Sequence, residues 1–246
     1  MIPARYASTR FPGKPLALVA GKPMIRRVWE MASRARLVGR VVVATDDRRI
    51  VEAAEAFGAE AVLTSPEHRS GTDRVAEVAR RIRAPFYINV QGDEPLIEPG
   101  VVDAVARIVA EGAPMATLAA RITTRGDLFD QNVVKVVLDK QGHALYFSRH
   151  AIPFPRAYLD RGADVDLGAS TYLRHIGTYG YSAAALSELA GAPRCQIEEL
   201  ESLEQLRALY LGIKIKVEVV DASSPCVDVP GDIAKVEKIL AARGAD

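Results

Sequence analysis

Residues 40–64 read RVVVATDDRRIVEAAEAFGAEAVLT, and this stretch decides the fold. Arg40 to Thr45 is an apolar, valine-rich run of strand length. From Asp46 the apolar residues return at helical intervals until Gly58 supplies a stop, and Ala59 to Thr64 is again strand-like. The segment predicts a strand, a helix and a second strand.

Outward from it the rhythm repeats. In GTDRVAEVARRI, residues 71–82, Val75, Val78, Ala79 and Ile82 fall at i, i+3, i+4 and i+7 on one face, which predicts a helix. FYINVQ (Phe86 to Gln91) predicts a central strand, and EPGVVDAVARIVAEG (98–112) a further helix with Val101, Val102, Val105, Ile108 and Val109 inward. Such alternation implies an α/β fold with a mostly parallel sheet, helices on both faces and ligands at the carboxyl ends of the strands. MIPARY, at the start, predicts a first strand that is cut short, with only Met1 and Ile2 strand-like.

After Arg121 the pattern changes. NVVKVVLD (132–139), HALYFSR (143–149) and HIGTYGYS (175–182) read as strands, with the polar stretch PRAYLDRGADVDLGAS (155–170) among them. No Ser/Gly/Pro-rich linker sets them apart, so residues 121–182 are expected to be a β-rich insertion in a single domain spanning 1–246. QIEELESLEQLRALYLG (196–212) reads as one helix, KIKVEVVD (214–221) as a strand and IAKVEKILAARG (233–244) as a final helix.

With 246 residues, 49% of them hydrophobic, the chain can bury a full core. Its 32 Lys and Arg against 31 Asp and Glu leave a net charge of +1, so no global field draws it to nucleic acid or anionic lipid, and any anion binding must be local. Cys195 and Cys226 stand apart from each other and from His, which suits reduced thiols rather than a disulfide or zinc framework. No apolar run approaches the roughly 20 residues of a membrane span and no leader is evident, so a cytoplasmic protein is expected.

Five features carry potential chemistry. The opening loop places Arg5, Arg10 and Lys14 among bend-forming residues between a strand and a helix, fit for a polyphosphate cradle or simply a solvated basic loop. It lacks the P-loop and dinucleotide fingerprints. In NVQGDEP a strand ends, Gly92 turns the chain, and Asp93 and Glu94 emerge where an Mg²⁺ bridging substrate phosphates would be held, or where an ordinary turn Asp would sit. In CVDVPGD, Asp232 reads as the N-cap of the last helix, whereas Asp228 has no such structural excuse and shares a metal site with Asp93 if the two segments are neighbours. SGTDR opens a helix with Ser70 or Thr72 as cap, or with a loop that contacts a nucleoside. His175, Tyr179 and Tyr181 share a strand face, as do Leu145, Phe147 and Arg149, and Glu198, Glu201 and Gln205 fall at i, i+3 and i+7 along a helix as a polar stripe or a merely solvated face.

Taken together, IPARYASTRFPGKPL, GKPMI, VVVATDD, SGTDR, NVQGDEP, VVKVVLD, ALYFSR, RHIGTYGY, LEQLRALYLG and VDVPGD resemble, in order and from end to end, the 3-deoxy-D-manno-octulosonate cytidylyltransferases. The resemblance implies a Rossmann-like nucleotidyltransferase fold, a homodimer and Mg²⁺ as cofactor. It implies that Arg5 and Lys14, with Ala4 and Arg10, hold the CTP phosphates and that Ser70, Gly71, Thr72 and Asp73 contact the nucleoside. Asp93 and Asp228 would be the metal carboxylates, and Gln91, Arg149, His175, Tyr179, Glu198, Glu201 and Gln205 would surround the acid sugar. The implied reaction transfers CMP from CTP to the anomeric hydroxyl of the sugar, with release of pyrophosphate, for lipopolysaccharide synthesis. A cytidylyltransferase for an 8-amino octulosonate or a sialic acid, and a nucleotide-binding regulator without catalysis, are the competing expectations. A dehydrogenase is disfavoured by the missing glycine fingerprint.

Overall fold

The computed structural model describes residues 1–7, 11–154, 156, 167, 172–221 and 225–244. Strand β1 (Ile2–Ala4) leads through the opening loop and a 3-10 turn (Lys14–Leu16) to the hairpin of β2 (Leu18–Val19) and β3 (Lys22–Pro23), then to helix α1 (Met24–Ala32). The stretch quoted first forms β4 (Val42–Thr45), α2 (Arg48–Ala56) and β5 (Glu60–Leu63). There follow α3 (Gly71–Arg81), β6 (Phe86–Asn89), α4 (Pro99–Ala110), β7 (Met115–Arg121) and α5 (Arg125–Phe129). After these come β8 (Lys135–Leu138), β9 (Ala144–Ser148), β10 (Leu173–Ser182), α6 (Ala183–Gly191), α7 (Gln196–Glu201), α8 (Gln205–Tyr210), β11 (Ile215–Val219) and α9 (Asp232–Arg243).

β1, β4 and β5 pair in parallel. Met1 joins them to β6: its amino group donates to the Ile88 carbonyl at 2.6 Å, and its own carbonyl accepts from Val90 N at 2.9 Å. The sheet then continues through β10, antiparallel to both β6 and β7, and ends with β11 parallel to β7. β10 closes the segment expected as an insertion, yet it runs in the middle of the main sheet. Among the described residues, the β8–β9 hairpin hangs from its first residues, Leu173 and Arg174.

The strand periodicity sorts side chains to two helical layers. Val43, Ile88, Ala116 and Leu118 pack with Ile25 and Val28 of α1, Ile50 of α2 and Val102 and Val105 of α4. Tyr87, Met115 and Ala119 pack on the other face with Val75 of α3, Leu186 of α6 and Leu206 of α8. Among the described residues no helix is long and apolar enough to cross a membrane. Both cysteines are free, Cys195 buried and Cys226 exposed.

Three local readings change. The helix expected over 196–212 is two, because Ser202 turns into the left-handed region with φ 52° between α7 and α8. Leu145 does not share the buried face of Phe147: the β8–β9 register slips between Val137 and Leu138, leaving Leu145 61% exposed while Phe147 is fully covered. Asp232 is not the cap of the last helix but its first residue, with Gly231 in the cap position.

Candidate active site

A cavity of about 300 Å³ opens at the carboxyl ends of β1 and β6, lined by Arg5 and Lys14 from the opening loop, Ser70 and Gly71 from the start of α3, and Asp93 and Asp228. Ala4 and Gln91 border it as well. Ser8, Thr9 and Arg10 lie outside the described residues. Local geometry explains the convergence. Gly13, at φ 71°, donates its N–H to the Tyr6 carbonyl and folds the loop back so that Lys14 faces inward. Gly92 lets the turn after β6 pass against β1: a Cβ there would stand 2.8 Å from the Pro3 carbonyl oxygen.

Lys14 Nζ is the hub. It lies 2.7 Å from Asp93 Oδ2 and 3.8 Å from Asp228 Oδ1, and it donates to the Val227 carbonyl at 3.0 Å. The two acidic segments are drawn together by a backbone bond from Val227 N to the Asp93 carbonyl, 2.9 Å. The Asp232 carboxylate then accepts the N–H groups of Asp228 and Val229, each at 3.1 Å, and fixes that loop on the last helix. Beneath Asp93, Glu94 is buried, and burial together with the Asp93 charge pushes its carboxyl up to about 8.

On the opposite wall Ser70 caps α3, its Oγ accepting from Asp73 N at 3.1 Å. The same hydroxyl donates to Glu204 Oε1 at 2.6 Å, and Thr72 donates to Glu204 Oε2 at 2.9 Å. Burial raises the Glu204 carboxyl despite these two donors. Glu204 therefore orients both hydroxyls of the SGTD turn, a role that the sequence pattern did not single out. Its only signal was its place in the break between α7 and α8, which contains no Gly or Pro to mark it.

The residues expected around a sugar divide. Gln91 donates to the Gly177 carbonyl at 2.8 Å, which ties the turn after β6 to β10. The His175 ring lies 5.1 Å from Phe147 and 5.1 Å from Tyr179, with Tyr181 next in the row at 6.0 Å. β10 bulges between Ile176 and Tyr179 by two extra residues, an even number, so the rings stay on one face. Thr117 Oγ1 sits 2.9 Å from His175 Nε2, and burial lowers the imidazole to about 3, so it is neutral; the same burial pushes the Tyr179 phenol up.

Arg149 and Glu201 clasp each other. Ser148 Oγ and Arg149 N donate to the Glu201 carboxylate at 2.6 and 2.9 Å, while Arg149 Nε donates to the Glu201 main-chain carbonyl at 2.8 Å. Arg149 Nη1 reaches the Gln131 carbonyl at 3.0 Å. Gln205 is buried on α8. Glu198 points elsewhere: it forms a buried two-pronged pair with Arg207, at 2.7 and 2.8 Å, inside the packing of α6, α7 and α8. The kink at Ser202 takes Gln205 out of the stripe, and within α7 Glu198 and Glu201 reach different partners, Arg207 and the Ser148–Arg149 segment.

A cation-lined first loop, a capped helix start and paired carboxylates at the carboxyl edge of a doubly covered α/β sheet define a nucleotidyltransferase. A cytidylyltransferase family model matches residues 1–215. The 3-deoxy-manno-octulosonate cytidylyltransferase of Marinobacter nauticus is 51% identical over 100% of this chain and 97% of its own length, and that of Geobacter sulfurreducens is 50% identical over 96% of both. A solved CMP:2-keto-3-deoxy-manno-octonic acid synthetase complexed with CTP superposes with a TM-score of 0.90 at 41% identity, covering 98% of this chain and 97% of that one. The chain belongs to the cytidylyltransferase family, among the 3-deoxy-manno-octulosonate cytidylyltransferases. A 4-diphosphocytidyl-2C-methyl-D-erythritol synthase from Anaerococcus prevotii, TM-score 0.61 at 10% identity, shares the fold alone.

Proposed function

We propose that the protein transfers CMP from CTP to the anomeric hydroxyl of 3-deoxy-D-manno-octulosonate and releases pyrophosphate, as a cytoplasmic homodimer with Mg²⁺. The observation that carries this is the convergence of Asp93 and Asp228 on Lys14, in the cavity that Arg5 and the start of α3 also line.

Both reactants are anions, so the barrier is lowered mainly by positioning and charge neutralisation. Arg5 and Lys14 offset phosphate charge in a protein whose net charge is only +1. Ser70 and Thr72, with their hydroxyl protons directed at Glu204, present the SGTD turn in one fixed form to the nucleoside. Gln91, His175 and Tyr179 form the sugar side, where a neutral imidazole offers hydrogen bonding without adding a charge.

The donor set fits Mg²⁺. This ion favours one or two carboxylates completed by phosphate oxygens and water, and Asp93 and Asp228 are two partly exposed carboxylates at a cavity suited to a triphosphate. Among the described residues no cluster of three His, Cys, Asp or Glu forms a protein-only metal site. Asp93 and Asp228 would hold the ion, which supplies charge stabilisation at the reacting phosphate.

The test is pyrophosphate release with CTP and the other nucleoside triphosphates, each paired with a panel of acid sugars, with and without Mg²⁺. Turnover confined to CTP, the octulosonate and Mg²⁺ is expected. Turnover with a sialic acid in place of the octulosonate would overturn the substrate assignment.

A further inference from the structure

Asp46 follows β4 at its carboxyl end, and its two carboxylate oxygens serve two different walls of the cavity. Oδ1 accepts the Tyr6 N–H of the opening loop at 3.4 Å, and Oδ2 accepts Arg74 Nη2 of α3 at 2.9 Å. With the Asp46 and Arg74 side chains 15% and 3% exposed, the ion pair is largely shielded from water and from salt. Tyr6 carries the restraint towards Lys14. Its carbonyl accepts from Gly13 N at 2.9 Å, and its ring lies so near that a Cβ on Gly13 would stand 3.2 Å from the phenol oxygen. The Arg49 guanidinium stacks on the same ring, 3.4 Å from its centroid. Arg74 carries the restraint towards Ser70. Its Nη1 donates to the Thr64 hydroxyl, which in turn donates to the Thr45 carbonyl at 3.0 Å, and its main-chain N–H donates to the Ser70 carbonyl at 3.4 Å. Arg74 lines the cavity, whereas Asp46 stands outside that lining and acts through its two partners.

We propose that Asp46 is a positioning residue, fixing the span between the loop that faces phosphate and the turn that faces nucleoside so that one CTP engages both at once. The inference rests on the reading that this cavity takes CTP. A fixed span acts as an effective concentration: once one half of a ligand is bound, the other half is delivered to its own subsite. That gain is lost when the two subsites move independently. The loss then falls on a ligand that bridges both subsites and spares either half alone.

The experiment measures dissociation constants of CTP, cytidine and inorganic tripolyphosphate by calorimetry for the wild-type protein, Asp46→Ala and Asp46→Asn, with wild-type turnover of CTP and sugar assayed alongside. Asp46→Ala is expected to bind CTP roughly tenfold more weakly, while cytidine and tripolyphosphate each stay within about twofold of their wild-type values. Asp46→Asn keeps the side-chain shape and one acceptor oxygen, so it should lose less than the alanine variant, and it also serves if that variant does not fold. CTP binding unchanged in a folded variant would overturn the proposal. So would a loss for CTP matched by an equal loss for cytidine or for tripolyphosphate, which would confine Asp46 to one subsite. Absence of CTP turnover in the wild-type protein would instead remove the reading beneath it.

Discussion

The Lys14 ammonium lies 2.7 Å from the Asp93 carboxylate, so the residue proposed to meet phosphate and the residue proposed to meet metal neutralise each other across the cavity. Neither is fully enclosed, with 15% and 30% of their side chains exposed. Asp93→Asn keeps the shape and leaves Lys14 with the Val227 carbonyl and Asp228. The fold should survive while pyrophosphate release falls by about two orders of magnitude or more, the scale on which a preorganised charge contact acts. Near-normal release by the asparagine variant would defeat the metal assignment.

Much of this arrangement was legible in the chain. Val42–Thr45, Arg48–Ala56 and Glu60–Leu63 follow from periodicity and from Gly58, because a buried parallel strand and an amphipathic helix write different intervals. Gly92 before Asp93 marked a strand end delivering a carboxylate. The kink at Ser202 was hidden, since its left-handed backbone carries none of the usual glycine signal. The strand Met115–Arg121 was also missed, because its short apolar run MATLAAR has no alternation to separate it from a helix. Tertiary pairing with β10 and β11 decides it.

Glu198 separates stability from catalysis. With the Glu198 and Arg207 side chains 6% and 4% exposed, Glu198→Gln would strip a buried guanidinium of its two-pronged counter-charge and leave it the Glu204 carboxylate at 3.5 Å. Breaking such a pair costs about 3–5 kcal/mol, a large share of a typical domain's stability. Urea unfolding should show a loss of that order while the folded enzyme keeps its KM for the sugar. The reverse pattern, an unchanged midpoint with a raised sugar KM, would return Glu198 to the substrate contacts.

His175 gives the protein an acid sensitivity of known sign. Burial lowers the folded-state value to about 3, against about 6.5 for an unfolded histidine. Between those values the unfolded chain binds a proton that the folded chain refuses, so stability is full above pH 6.5 and declines as the pH falls toward 3. The slope from this residue is at most about 1.4 kcal/mol per pH unit. Urea unfolding at pH 7, 6 and 5 should lose stability more steeply for the wild-type protein than for His175→Asn. Parallel pH profiles would show that the imidazole titrates freely in the folded state.

Arg149 distinguishes charge from shape. The resemblance places its charge near the sugar, whereas its Nε and Nη1 donate to the carbonyls of Glu201 and Gln131 and its own N–H holds the Glu201 carboxylate. If the guanidinium acts as a fork that pins β9 to the end of α7, a lysine cannot replace it, since one ammonium does not span two carbonyls in fixed geometry. Arg149→Lys should then be as impaired as Arg149→Ala, with a raised KM for the sugar and an unchanged KM for CTP, because the resemblance assigns Arg149 to the sugar and the turn with Ser70 and Thr72 to the nucleoside. Substantial rescue by lysine would assign Arg149 to the sugar carboxylate through its charge, and a defect confined to CTP would contradict both roles.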